Sequence, residues 1–323
     1  MKGVVCAGNW LLDVVHLIPR WPAKSELVEI EAEVVGIGGG GANVMLALEA
    51  FATGIPLFAM GLIGDDRYGQ ITRAALAHSK ADLRWLVTTD RALSSHTHVM
   101  TVAGESRTFF YHPGTNDLLS AADLPVEAAA NSGAGLFYLG YLNLLGRLDR
   151  LQDGQTEAAQ VLARAKAAGM VTCVDLVSKA GPNFRAVVAA SLPVTDYLFL
   201  NEIEATLATG IVISGPGDTD GMERAARHLL AMGAGCVVLH SPLVALMLGP
   251  HSRHLRHTGA VAEIVNPVGA GDAFAAGVIY GIAAGWPAER SLLLGHRAAA
   301  ASLKGATATG TIPSLKVLVP DQV

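Results

Sequence analysis

Cysteine is scarce in this chain of 323 residues. Cys6, Cys173 and Cys236 are too few and too scattered for a disulfide framework or a cysteine-based zinc site. Each sits in an apolar, strand-like run, where a cysteine is usually a small core residue. A reducing, cytoplasmic location is the expectation. Charge is sparse as well, at 16% of residues, and it is not basic, because the formal net charge is −5. A general binder of nucleic acid or of an anionic membrane surface would carry a basic excess, so neither partner is expected. Long apolar runs are missing too. The stretch Ala273 to Gly285 falls short of the ~20 residues that span a bilayer, and glycines interrupt it. At the N-terminus, Met1 to Cys6 is too short an apolar run for a signal peptide before Asn9 and Asp13 break it. No repeat, low-complexity linker or Walker A loop, G-x-x-x-x-G-K-[ST], is found.

What the chain has is apolar substance, with 51% hydrophobic residues, enough for one large α/β domain over 1–323. From about residue 130, short apolar runs alternate with helical patterns: strands at 135–140, 171–176, 196–200 and 236–240, helices at 156–168, after Pro182, at 202–209 and at 221–232. Continuous apolar strands alternating with helices predict a doubly wound, mostly parallel sheet with helices on both faces. Such sheets bind ligands at the carboxyl ends of their strands. Two stretches break the rhythm. Residues 14–36 contain the alternating run Leu27 to Val34, and residues 94–112 contain His96, His98 and then Arg107 to His112. Period-two alternation predicts strands with one solvated face, here a small antiparallel sheet projecting from the main domain.

The richest motif is Asn266-Pro267-Val268-Gly269-Ala270-Gly271-Asp272. A strand at 262–265 runs into a Gly-Ala-Gly turn, and an apolar helix starts at once. Small residues let backbone approach a ligand, and the first N–H groups of a helix have no internal partner. Together with the helix dipole they form an anion site, beside which Asp272 stands. An aspartate there could simply cap the helix. Near the N-terminus, Gly36 to Gly41 satisfies the G-x-G-x-x-G pattern of dinucleotide-binding folds. That pattern should follow the first strand of the sheet, whereas here the first strand, Val4 to Ala7, is already complete. Asn43 among glycines at a helix start suits hydrogen bonding to hydroxyls as well as to phosphate.

Taken together, Gly8-Asn9 with Asp13, Gly38 to Asn43, Gly61 to Asp66 with Gly69, Asn201-Glu202-Ile203-Glu204 and Gly269 to Asp272 resemble the two signatures and the N-x-x-E element of the ribokinase-like (PfkB) carbohydrate kinase family. The resemblance covers essentially the whole chain. It implies an ATP-dependent phosphotransferase acting on a hydroxyl of a sugar or sugar-like molecule. In that scheme Asp272 is the general base, and the backbone of Gly269, Ala270 and Gly271 holds the oxygens of the transferring phosphoryl group. Asp13, Gly39, Gly40, Asn43 and Asn143 correspond to positions that grip the substrate. Asn201, His240 and Ser241, with Gly269 and Gly271, fall on the nucleotide side. Glu204 would organise the water shell of Mg²⁺, which keeps several waters in any case. The pieces at 14–36 and 94–112 would form the lid, through which a homodimer is also expected. A nucleoside kinase of the same fold is the alternative, and a non-catalytic ligand binder is a further one.

The chain departs from the family pattern in four places. Asn266 stands where an aspartate usually helps build a monovalent-cation site, so potassium dependence is not expected. Leu239 to Val244 lacks the glycines of the usual Thr-x-Gly-x-x-Gly loop. Arg297 falls where an asparagine is common. Gly40 replaces the lysine of ribokinases proper, which turns the expectation away from ribose. His251, His254 and His257 fall in a predicted exposed hairpin and are not assigned to a metal. His96, His98 and His112 read as a solvated strand edge. Trp10 fits either a stacking role or the core.

Overall fold

A computed structural model describes residues 1–105, 107–258, 268–305 and 307–320. Strand β1 (Gly3–Gly8) is buried along its whole length because both of its faces are covered. Val5 and Ala7 belong to one apolar cluster, with Leu162, Val188 and Leu229 from the helices Glu157–Ala167, Phe184–Ser191 and Thr219–Ala231. Val4 and Cys6 point the other way, into a cluster with Val44 and Leu48 from helix Gly40–Ala50 and Phe274 and Val278 from helix Ala270–Ala283. Adjacent side chains of one strand therefore enter two separate cores, which is why the strand carries no polar alternation.

Further strands are β2 (Leu11–Leu17), β3 (Ala32–Gly38), β4 (Leu57–Gly64), β5 (Asp82–Thr89), β6 (His96–Thr101) and β7 (Thr108–His112). They are followed by β8 (Ala134–Leu142), β9 (Val171–Leu176), β10 (Tyr197–Asn201), β11 (Cys236–His240), β12 (Val244–Gly249) and β13 (Ser252–His257). The large sheet has the order β13-β12-β11-β10-β9-β8-β1-β4-β5. It is parallel from β11 to β5, and the hairpin β12–β13 adds an antiparallel edge. The doubly wound α/β architecture is thus as predicted. Among the described residues, no helix is long and apolar enough to cross a membrane. The predicted strand at 262–265, with Asn266 and Pro267, lies outside the described residues.

The second sheet has the order β3-β2-β6-β7. Its outer pairs β2–β3 and β6–β7 are antiparallel, while its central pair β2–β6 runs parallel. The parallel pair arises because the chain leaves the small sheet after β3, builds β4 and β5 of the large one, and returns as β6. The strand predicted from Leu27 begins only at Ala32, whose partner Leu17 is the last residue of β2. Glu31 N–H still donates to Leu17 O at 2.8 Å, but upstream of Glu31 there is no β2 backbone left to pair with, so Leu27 and Ile30 stay exposed despite their alternation. Trp10 resolves to the core: it is fully buried and its indole N–H donates to the Met60 carbonyl at 3.1 Å.

Candidate functional site

Helix Gly40–Ala50 starts four residues earlier than its apolar pattern predicts, at Val44, and this puts Asn43 inside its first turn. Gly40 permits that start, since a side chain there would meet the Gly140 backbone and the Tyr141 ring at 2.9 Å. From this position the Asn43 amide donates to Asp272 Oδ2 at 2.8 Å, across 229 residues of sequence. The Tyr141 hydroxyl, at the end of β8, donates to the same oxygen at 2.7 Å.

Asp272 is 3% exposed and does not cap its own helix. The cap of Ala270–Ala283 is Gly269, with no side-chain hydrogen bond, and the first intrahelical bond is Ala273 N–H to Gly269 O. The N–H groups of Ala270 and Gly271 precede that bond and have no intrahelical partner, which makes them donors to an anion. Burial pushes the Asp272 carboxyl up to about 7, against the two hydrogen bonds from Tyr141 and Asn43 that pull it down. Its Oδ1 is buried and has no hydrogen-bond partner among the described residues. Asn43 Oδ1, Asn9 Oδ1 and Asn143 Nδ2 are buried and unpartnered in the same way. Orphaned donors and acceptors are rare in native proteins, and those of Asp272 and of Asn43, which is bonded to it, mark a place prepared for a polar ligand.

Asp13 lies on β2 and accepts from the Thr97 side chain. Burial pushes its carboxyl up to about 6, opposed by that hydrogen bond and by the Arg107 charge. A pocket on this face of the small sheet is lined by Asp13 and Arg107 with the apolar walls Val15, Val34, Ile37 and Val99. His96 and His98 alternate with Thr97 and Val99 on β6, so they occupy the opposite face. There they stack with His16 and His112, with ring centroids 4.8 to 5.5 Å apart. The edge is therefore a packed cluster, with His112 exposed and His16 buried.

On the other side of the catalytic candidate, Asn201 caps helix Glu202–Thr209 and its side chain accepts from the Ile203 and Glu204 N–H groups. Glu204 completes a capping box through the Asn201 N–H at 2.8 Å and also accepts from Ser178 at 2.8 Å. It is 5% exposed, and burial raises its pKa, so it is not a solvated helix glutamate. Beside it Asp175, at the end of β9, is held well above the usual carboxylate range by burial and then by the charges of Glu204 and Asp272. These hard oxygen donors with mutually unfavourable charge fit a hydrated Mg²⁺. Among the described residues, no three His, Cys, Asp or Glu side chains converge as a metal cage.

The nucleotide-side candidates divide. His240 lies against the anion turn, its Cε1 3.4 Å from where a Gly271 side chain would begin. Its ring packs on Phe274 at 4.8 Å, and burial pushes its pKa down to about 4, so it is neutral at physiological pH. Ser241 turns inward instead: its hydroxyl donates to Pro216 O at 2.5 Å and accepts from the Leu243 and Val244 N–H groups, fixing the β11–β12 turn. Arg297 is directed away, donating to Leu318 O at 2.6 Å. Its neighbour His296 also packs on Phe274, at 5.4 Å. Tyr141, Asp175, Arg107 and His296 escape the motif reading. Tyr141 and Asp175 carried one usable signal, a polar group ending a buried parallel strand.

The chain belongs to the pfkB family of carbohydrate kinases, whose profile matches residues 1–315. Maize fructokinase-1 is 28% identical over 184 residues, which is 56% of this chain and only 51% of that enzyme, about half its length. Mouse ribokinase is 25% identical across 87% of this chain and 81% of its own. The Arabidopsis thaliana ribokinase structure complexed with ribose and ATP superposes with a TM-score of 0.82 at 19% identity, covering 99% of this chain and 98% of the other. A Burkholderia thailandensis nucleoside kinase in complex with inosine gives 0.72 at 17% identity, covering 98% and 96%. At such identities the structures establish a shared fold.

Proposed function

We propose that the protein transfers the terminal phosphoryl group of ATP to a hydroxyl of a sugar or sugar-like molecule, with Asp272 as general base. The carrying observation is the Asp272 carboxylate itself: Oδ2 pinned by Asn43 and Tyr141, Oδ1 left unpartnered beside the N-terminus of Ala270–Ala283. A carboxyl near pH 7 can accept the proton of an alcohol while the adjacent N–H groups stabilise the charge on the phosphoryl oxygens. Asp13, Gly39, Gly40, Asn43 and Asn143 hold the acceptor. Asn201, His240 and the Gly269–Gly271 turn face the nucleotide, while Ser241 supports that wall indirectly. When bound, Mg²⁺ would neutralise phosphate charge from the Glu204 side. Measuring ADP release over pentoses, hexoses, sugar acids and nucleosides tests the assignment. No turnover with any of them would remove it. The apolar walls Val15, Val34, Ile37 and Val99 favour a second reading, a nucleoside kinase, which the nucleoside arm of that screen decides.

The small sheet is the lid of this reading, spanning about 14–36 and 94–112. Acceptor binding is expected to slow hydrogen exchange in β2, β3, β6 and β7 well beyond any change in the rest of the chain. Uniform protection, or none, would leave the lid without support. Val35 and Phe110 remain exposed on its outer face, which supports a homodimer through the lid. For the metal, Glu204→Gln is expected to raise the Mg²⁺ concentration needed for half-maximal rate by about tenfold, with the acceptor KM little changed. An unchanged Mg²⁺ requirement would take Glu204 out of the site.

A further inference from the structure

The turn that follows β8 departs from the ordinary backbone at two non-glycine residues, Tyr141 at φ 37° and Asn143 at φ 77°. Leu144 N–H donates to Tyr141 O at 3.0 Å, so Tyr141 to Leu144 form a β-turn whose third residue is left-handed. Asparagine tolerates that conformation better than most residues, but it still has to be held there. Tyr141 is secured on both sides by strand pairing, through Gly140 on β1 and Leu142 on β9. Asn143 lies beyond the strand and lacks that support. Asn9 Nδ2 reaches Leu144 O at 3.2 Å. The stronger anchor is Asp149, whose Oδ2 accepts the Leu145 N–H at 2.6 Å, while the Asn143 N–H is directed at the same carboxylate. The Asp149 N–H returns to Leu145 O at 2.8 Å, closing the loop on itself. Asp149 Oδ1 is buried and unpartnered among the described residues, as is the Asn143 side-chain Nδ2. The turn that begins at Tyr141, whose hydroxyl is bonded to Asp272, thus carries an unsatisfied amide at Asn143, and a carboxylate six residues on fixes its angle.

We infer that Asp149 is a positioning residue for the acceptor: it locks the left-handed turn so that the Asn143 amide meets a substrate hydroxyl. This rests on the kinase reading and deepens it, since Asn143 binds the acceptor there. Asp149 touches neither reactant. Its removal lets the turn relax and weakens acceptor binding, while Tyr141 stays on Asp272 because β8 holds it. Two measurements on the full chain test this. Hydrogen exchange of the protein alone should quicken at residues 141–149 in Asp149→Ala and nowhere else. With the acceptor of highest kcat/KM in the ADP-release panel, Asp149→Ala should raise KM about tenfold or more, with kcat within about threefold. Asp149→Asn, which keeps one oxygen for the Leu145 N–H, should recover much of the loss. Asn143→Gly keeps the left-handed turn and removes the amide. In that background Asp149→Ala should add less than about twofold, because the two changes disable one interaction. Additive effects would overturn the inference, as would unchanged exchange at 141–149, or exchange that quickens throughout the chain. If the wild type is active and the Asp149 variants bind normally, only this inference falls. A wild type inert across the panel fells the kinase reading and this inference with it.

Discussion

Asp272→Asn is expected to lower kcat by about 10²- to 10⁴-fold, the range a general base supplies. Acceptor binding should stay near wild type, because the asparagine oxygen can still receive the Asn43 and Tyr141 hydrogen bonds. Stability should change in a direction that a capping role would not give. Burial lifts the Asp272 pKa from an ordinary 3.8 to about 7, so the folded protein holds that proton more tightly than the unfolded chain does. The stability tied to that proton is complete below about pH 4 and lost as pH rises through about 7. At pH 8 the wild type carries a buried carboxylate that the asparagine variant lacks. Its melting temperature should therefore lie below the variant's by about 2 °C or more, and the gap should close by about pH 4. The wild-type kcat/KM should fall roughly tenfold per unit as pH drops below about 7, since the protonated acid cannot accept a proton. Isothermal titration, melting and turnover on the one variant decide the matter. Near-normal turnover would sink the mechanism.

The individual motifs were legible because each depends on neighbouring residues. Gly269 to Asp272 announces a turn entering a helix, and that turn is found as written. The spacing of Asn201 and Glu204 places them on one helical turn, and the structure adds that they close a capping box there. Strands β9 and β11 and helix Glu202–Thr209 coincide with their apolar patterns because both faces of the sheet are covered and no register competes. What the motifs mean to one another was not legible locally. Asn43 and Asp272 share a hydrogen bond across 229 residues, and Tyr141 joins them across 131. Nothing in the spacing of Tyr141 from Gly140 tells that its hydroxyl ends on a carboxylate.

The misreadings have the same origin. The alternation from Leu27 to Val34 satisfied a strand pattern, yet a strand needs a partner, and β2 ends at Leu17. Ser241, expected on the nucleotide side, has a hydroxyl that satisfies the backbone of its own turn, a local hydrogen bond that serine invites and that spacing alone does not announce. The histidines of β6 and β7 read as a solvated edge, which His112 on the edge strand β7 is, while His96 and His98 are half-buried, because strand parity alone cannot say how far a face is covered. His16 on β2, read without a role, supplies the packing that draws them together.

Gly269→Ala carries the second large effect. Gly269 sits at φ 81°, and a side-chain carbon there would begin 2.3 Å from Ala308 Cβ and 3.0 Å from Ala308 Cα. The left-handed conformation alone costs an alanine about 1–2 kcal/mol. The clash is the larger problem, because neither partner is the flexible end of a long side chain. The turn must shift, and it carries the Ala270 and Gly271 N–H groups with it. Losing the alignment of one such donor costs about 10²- to 10³-fold in kcat. That is the expected loss, with acceptor KM little changed, since Asp13, Asn43 and Asn143 lie on other elements. Gly133→Ala provides the control: φ is 97° there, with open space around the missing carbon, so it bears the strain without the clash and should keep kcat. Ala308→Gly in the Gly269→Ala background removes the closest contact and should recover part of the rate. A Gly269→Ala enzyme that keeps its kcat, or loses only acceptor affinity, would show that this turn does not hold the transferring phosphoryl group.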